Sequence, residues 1–219
     1  MNLRAILLVL LAALGAASCA GTGTTADPLA GGTVLVAGGS GRAGAYVVRQ
    51  LRAAGIPFRA TTRSVAEARQ RLGAEAEGVE WIEADLRQPA DAARAMRGVT
   101  HVISVIGSRE LQGPNSAEFV DYGAVRNLVD AAVATGKVRH FTLLTAIGSS
   151  DPQSVGNKMF KGALAWRFRG EEHLRASGLA YTVVRPSGLV NDPAGAKGVA
   201  FYQGDDWKSL VRRTISRDD

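Results

Sequence analysis

The sequence predicts an α/β protein: a single domain on a doubly wound parallel sheet flanked by helices. Two observations carry that expectation. From Thr33 onward, short runs rich in β-branched residues alternate with longer amphipathic stretches, the beat of strands joined by crossover helices. Glycines also close the helical stretches, at Gly55, Gly98, Gly136 and Gly178, where a left-handed residue ends a helix at least cost. A chain of 219 residues, 46% of them hydrophobic, is long enough to bury one sizeable core.

Strands are expected at Thr33–Ala37, Phe58–Thr62, Val79–Glu83, His101–Ile106, His140–Thr145 and Tyr181–Arg185. Helices fall between them. Arg42–Ala54 carries Val47, Val48 and Leu51 at helical spacing, Ser64–Leu72 and Ala90–Arg97 are short, and Ser116–Thr135 places Val120, Ala124, Leu128 and Ala131 on one face. The strands are apolar in both phases, which calls for helices on both sides of the sheet. No internal repeat interrupts the pattern.

The N-terminus follows another logic. Arg4 is a minimal positive region, Ala5 to Leu14 an apolar stretch, and Gly15-Ala16-Ala17-Ser18 a run of small residues before Cys19, the single cysteine. Residues 1–19 therefore read as a signal peptide, because the apolar run is shorter than the roughly 20 residues of a spanning helix. The small residues before Cys19 resemble a bacterial lipobox, with Ala16 standing where Leu is usual. That implies lipidation of Cys19 and a place in the cell envelope, with the lipid as the sole membrane contact; the alternative is a cytoplasmic protein whose signal is not used. Residues 20–32 read as a flexible tether, and 33–219 as the folded domain.

A net charge of +6 permits anionic partners, but the arginines are spread along the chain without a block of like charge. With 6% aromatic residues and neither base-stacking nor zinc-ligand spacing, nucleic acid and metal are both excluded as expected partners.

The first strand runs into Gly38-Gly39-Ser40-Gly41-Arg42-Ala43-Gly44. Here glycines make the tight turn, let backbone approach a pyrophosphate, and allow close packing of helix on strand. The helix then offers unpaired N–H groups and its positive end to phosphate. Following a strand and opening a helix, the motif predicts a Rossmann-type dinucleotide site with Gly38, Ser40, Gly41, Arg42, Ala43 and Gly44 around the phosphates. NAD-specific sites carry an acidic residue at the end of the second strand for the ribose hydroxyl. This chain has Arg59-Ala60-Thr61-Thr62-Arg63-Ser64 instead. Arg63, with Arg42, suits a 2′-phosphate, so NADP(H) is the preferred cofactor and NAD(H) the alternative.

Several segments together resemble the atypical short-chain dehydrogenases/reductases, in the NmrA-like, NAD(P)H-binding branch of Tic62 type: residues 36–44, Thr61-Thr62-Arg63-Ser64, Glu83-Ala84-Asp85-Leu86, residues 121–132 and residues 171–188. The resemblance covers about Gly32 to Ser216. It implies Asp85 and Leu86 beside the adenine, Ile106 and Gly107 under the nicotinamide-side ribose, Thr145 at the active end of the fifth strand, and Pro186 in a turn past the nicotinamide. For Asp85 a helix N-cap is the competing reading.

The wider superfamily uses a Tyr and a Lys four residues apart for proton transfer alongside hydride transfer. Anchored on Glu171, the lysine position falls on Arg167 and the tyrosine position on Ala163. Arg167 keeps the positive charge without a phenol. Tyr202 is a conceivable substitute, with loop packing as its other reading, and Lys158 and Lys161 read as surface charges. The C-terminal region is short, Thr214 to Asp219 resembling the start of a segment that leads to a further helix; a lost or truncated helix would leave one flank of the sheet uncovered.

Two functions follow as expectations. One is an NADP(H)-dependent oxidoreductase on a small carbonyl or quinone-like substrate, with Arg167 and Thr145 as catalytic candidates. The other is a non-catalytic dinucleotide-binding redox sensor or scaffold tethered to a membrane. An export signal before an NADP(H) site is a tension, since that cofactor belongs to the cytoplasm. Oligomeric state is open.

Overall fold

In the computed structural model, the residues described are 29, 31–196, 198–204 and 214–219. The expected signal peptide, Cys19 and most of the tether lie outside them. Among the described residues no helix is long and apolar enough to cross a membrane.

The chain order is β1 (Val34–Ala37), α1 (Arg42–Ala53), β2 (Phe58–Thr62), α2 (Val65–Leu72), β3 (Glu80–Glu83), α3 (Pro89–Ala95), β4 (His101–Ser104), a π-helix (Glu118–Ala124), α4 (Val125–Thr135), β5 (His140–Leu144), α5 (Val155–Met159), α6 (Ala163–Ala176), β6 (Tyr181–Val184), β7 (Gly188–Val190) and β8 (Thr214–Ser216). Six strands form one parallel sheet in the order β3-β2-β1-β4-β5-β6. The order reverses between β1 and β4. In open α/β sheets that switch point is where ligands bind, beyond the carboxyl ends of the strands.

Several boundaries differ from expectation. β4, β5 and β6 stop at Ser104, Leu144 and Val184, where the chain leaves the ladder for the loops at the carboxyl edge of the sheet. The expected helix from Ser116 to Thr135 begins as a π-helix: the Asp121 and Tyr122 N–H groups share the Ala117 carbonyl at 2.9 and 3.1 Å. Gly98 does not cap a helix, since α3 closes at Met96, whereas Gly136 sits left-handed at the end of α4. α5 and the parallel pair β7–β8 have no counterpart in the sequence pattern. The tether reading fails at its last residues. Leu29 is buried against Val34, Val36, Val48 and Leu51, and Gly32 N–H donates to the Leu29 carbonyl at 2.8 Å, so the apolar contact of Leu29 draws this end into the fold.

Strand alternation divides the core. On one face Leu35, Ala37, Val102, Phe141 and Leu143 pack with Met96 after α3, with Leu128 and Val129 of α4, and with Leu174 of α6. Each fully buried large side chain there contributes about 1.5–3 kcal/mol. On the other face Val34, Val36 and Ala60 are covered by Val48 and Leu51 of α1. Beyond α1, Ile103, Thr142, Leu144, Thr182 and Val184 are only partly buried, so among the described residues this face is covered less fully than the other. His101 and His140 are register partners here, bonded to Thr100 Oγ1 and Thr182 Oγ1 at 2.9 Å each. Burial holds both imidazoles below their ordinary range, and Arg139 and His140 add to the effect at His101.

Candidate functional site

The glycine loop closes the β1-to-α1 turn. Gly38 has φ of +84°, and its N–H donates to Thr61 Oγ1 at 3.0 Å, tying the loop to β2. A Cβ on Gly44 would stand 2.1 Å from the Gly38 carbonyl oxygen and 2.7 Å from that of Gly39. No side chain fits there. Gly41 is the N-cap of α1 and caps it with no side chain, and the first turn holds no acidic residue. The helix end therefore keeps open donors and a positive field. Ser40 Oγ donates to Thr62 Oγ1 at 2.9 Å, while Arg42 is exposed and Ala43 half-buried in the first turn. These residues fit a pyrophosphate: a backbone cradle that any Cβ would fill, facing an uncapped helix end.

At the ends of β2 and β3 the structure assembles a network that local sequence does not announce. Arg63 Nη1 and Arg87 Nη1 both donate to Asn115 Oδ1, each at 2.9 Å. Arg87 also grips Asp85 through Nε at 2.8 Å and Nη2 at 2.6 Å, and the hydrogen bond from Arg87 holds the Asp85 carboxyl below its ordinary range. The N-cap reading of Asp85 is overturned: Gln88 holds the N-cap position of α3, with no side-chain cap, and Asp91 accepts from the Asp85 N–H at 2.8 Å. Leu86 is turned into the fold: its side chain lies in the core and its carbonyl accepts from Asn127 Nδ2 at 3.0 Å, so the structure does not turn it toward a base. Arg109, in the loop after β4, has its pKa lowered by burial and by the charges of Arg42, Arg71 and Arg63. Arg42 and Arg71 on two helices and Arg63 in a third segment thus bear on Arg109 from the glycine-loop side.

The loop after β4 packs on the glycine turn, with Ile106 Cγ2 2.9 Å from where a Cβ of Gly38 would be. Gly107 borders a buried ion pair. Arg167 Nε donates to Asp121 Oδ1 at 2.7 Å, and the Ser108 N–H donates to Asp121 Oδ2 at 2.9 Å. A Cβ on Gly107 would lie 3.4 Å from Arg167 Nη2 and 3.5 Å from Asp121 Oδ1. Asp121 is 4% exposed. Burial pushes its carboxyl up, against the opposing pull of the Arg167 charge and the Ser108 N–H. Gly170 lets α6 approach this close, since a Cβ there would meet the Asp121 carbonyl oxygen at 2.8 Å.

Thr145 directly follows the carboxyl end of β5. Its hydroxyl donates at 2.7 Å to Glu171 Oε1, which also accepts from Ser149 Oγ at 2.9 Å. Glu171 is fully buried, and Arg185 and Arg175 balance its charge. The Thr145 hydroxyl is therefore turned inward to a structural carboxylate. Pro186 accepts through its carbonyl from the Ile147 N–H at 3.0 Å, which docks the turn after β6. Tyr202 is 61% exposed, so the loop-packing reading fails for it, and Lys158 and Lys161 are exposed as expected. Sequence reasoning missed Asn115, Arg87 and Arg109 outright. Asp121 lay within a segment that carried the resemblance, without a role.

The family described as NAD(P)H-binding matches residues 38–219. Among curated proteins, the chloroplast protein TIC 62 of Pisum sativum is 36% identical over 178 residues, covering 71% of this chain and 32% of its own length. The NAD(P)H azoreductase of Xenophilus azovorans is 32% identical over 155 residues, covering 70% of this chain and 47% of that protein. The chain thus spans about a third to a half of these relatives. Among solved structures, ChuY, an anaerobillin reductase from Escherichia coli O157:H7, superposes with a TM-score of 0.67 at 24% identity, covering 85% of each chain, a likeness of fold. The fold, the glycine cradle at the switch point and the matched family together make the cofactor class a nicotinamide dinucleotide, and the chain belongs to the NAD(P)H-binding family of atypical short-chain dehydrogenases/reductases.

Proposed function

We propose that this chain is an NADP(H)-dependent oxidoreductase acting on a small carbonyl or quinone-like substrate. The observation that carries the NADP(H) preference is Arg63 at the end of β2, bonded to Asn115 Oδ1 at 2.9 Å where an NAD site would carry a carboxylate, so that with Arg42 it suits a 2′-phosphate. Gly38, Ser40, Gly41, Arg42, Ala43 and Gly44 hold the pyrophosphate, Arg63 the 2′-phosphate, the Asp85–Leu86 segment the adenosine, and Ile106, Gly107, Arg167 and Pro186 the nicotinamide side. The bound nicotinamide supplies hydride. Arg167 offers guanidinium donors, so it binds hydroxyls and stabilises a developing oxyanion, and the proton comes from water.

The test is titration of the purified protein with NADPH and NADH, followed by tryptophan fluorescence, beside Arg63→Ala. NADPH is expected to bind at least about tenfold tighter, and Arg63→Ala to abolish the preference. Equal affinities in the parent protein would overturn it.

The second reading is a non-catalytic dinucleotide-binding sensor or scaffold. It is favoured by Ala163 at the proton-donor position and by the inward turn of Thr145. Absence of NADPH oxidation above a Gly41→Asp control, across quinones and aldehydes, would favour it. Export with lipidation at Cys19 is proposed for the location, the alternative being the cytoplasm; the mass of the mature N-terminus tests it.

A further inference from the structure

A pocket lies one helical turn beyond the Asp121–Arg167 pair. Four residues before Asp121 stands Ala117, and four before Arg167 stands Ala163. Ala117 and Ala163 border a cavity of about 280 Å³, walled by Leu111, Phe119, Phe160 and Trp166. This is just below the ~300–1,000 Å³ of small-molecule sites, the size for a one- or two-ring molecule. Alanine at position 163, where the superfamily's phenol would stand, leaves that space open.

Three of the walls are incompletely buried: Leu111, Phe119 and Phe160 are 50%, 48% and 49% exposed. Large apolar side chains gathered half-exposed around one cavity mark a surface that a ligand covers. Trp166 is held as a platform, with its ring 6.0 Å from that of Tyr122 and the Arg169 guanidinium 4.3 Å from its centroid, which limits what it loses on binding. Lys161 and Glu118 both line the cavity. Their opposite charges select neither an anion nor a cation.

We infer that this cavity is the substrate site and that its occupant is a neutral, planar aromatic acceptor of the quinone class, stacked among Phe119, Phe160 and Trp166 with its reducible carbonyl toward Arg167. The inference rests on the proposed oxidoreductase reading. Hydride from the reduced nicotinamide adds to the quinone, the hydroquinone monoanion forms beside the Arg167 charge, and water supplies the proton that completes the hydroquinone. The nicotinamide is left oxidised, and two electrons are accounted for. Among the described residues the two Nη groups of Arg167 make no hydrogen bond, so they can face the oxyanion while Nε stays on Asp121.

The experiment is calorimetric titration of the full chain, without cofactor, with two neutral diketones. One is 2,3-dimethyl-1,4-naphthoquinone, whose blocked ring positions resist addition of the Cys19 thiol; the other is cyclohexane-1,4-dione. The naphthoquinone is expected to bind at least about tenfold tighter. Ala163→Phe, which fills the cavity, should weaken it by at least about tenfold with NADPH affinity unchanged. Equal binding of the two diketones overturns the inference, as does an Ala163→Phe protein that binds both naphthoquinone and NADPH like the parent. If Ala163→Phe does not fold, Phe160→Ala decides: weaker naphthoquinone binding with unchanged NADPH binding supports the site, and no change sinks it. NADPH binding without naphthoquinone binding removes this inference alone; naphthoquinone binding without NADPH binding removes the oxidoreductase reading and leaves the cavity as a ligand site. Binding of neither removes both.

Discussion

Arg167 Nε lies 2.7 Å from Asp121 Oδ1, so the position that the sequence resemblance aligns with the superfamily's lysine carries a guanidinium locked to a buried carboxylate. Lysine presents a rotating point charge, whereas arginine is a planar fork whose orientation is set once one edge is bound. The pair fixes where the remaining donors point. Asp121→Asn removes the counter-charge without removing the shape, and because the Arg167 side chain left behind is 27% exposed the loss is that of a hydrogen bond to a charged group, about 1.5–3 kcal/mol. A fall of that order in unfolding free energy is expected in urea, and an unchanged midpoint would show that the pair adds nothing to the fold.

Gly44 tolerates no side chain. Overpacking typically costs about 1–3 kcal/mol, and a Cβ 2.1 Å from a backbone oxygen can be relieved only by moving the glycine turn itself. Gly44→Ala is therefore expected to lower thermal stability and abolish NADPH binding together. Retained affinity in the alanine variant would refute the cradle.

Asn115 presents its Oδ1 to both Arg63 and Arg87. Asn115→Asp sets a carboxylate where a 2′-phosphate would approach, so it is expected to weaken NADPH by about tenfold relative to NADH. The ratio of the two dissociation constants is the readout, and a ratio unchanged from the parent counts against this loop as part of the adenosine site.

Thr145 bonded to Glu171 has a structural place, and its replacement separates structure from catalysis. Thr145→Val leaves the buried carboxylate short of one donor, a loss of about 1–3 kcal/mol. Stability should fall while kcat with NADPH and a quinone is held; a collapsed kcat at full stability would restore Thr145 to the chemistry.

His101 and His140 set a pH window for stability. Burial lowers both from an ordinary value of 6.5, so the unfolded chain takes up protons before the folded one does. Their contribution is present in full above that value and is lost as pH falls toward the folded-state values. Asp85, held down by Arg87, acts lower: its contribution is lost as pH falls below the ordinary carboxylate value of 3.8. Denaturation midpoints measured between pH 8 and pH 5 should decline, and His140→Gln should flatten the profile.

The strand-and-helix beat was legible because apolar periodicity is local, and Phe58–Thr62 matches its expected bounds. Ser116–Thr135 was legible as helical but not as π followed by α, since the defect depends on two N–H groups choosing one carbonyl. β7 and β8 escaped notice because three-residue strands have no period to read. Leu29 looked like tether because nothing in its own neighbourhood says that the Val34–Val48 cluster receives it.

The sequence by itself determined the order of elements, the glycine turn that no other residue can make, and the missing carboxylate and phenol at two family positions. Each of these is a property of a few consecutive residues. Tertiary structure alone decided that Arg167 is held by a carboxylate 46 residues away, that Arg63 meets Asn115 across 52, and that Thr145 turns to Glu171 across 26. Such pairings depend on helix-to-loop approach distances, which Gly107 and Gly170 permit, and no periodicity along the chain encodes which distant side chain fills the space a glycine leaves.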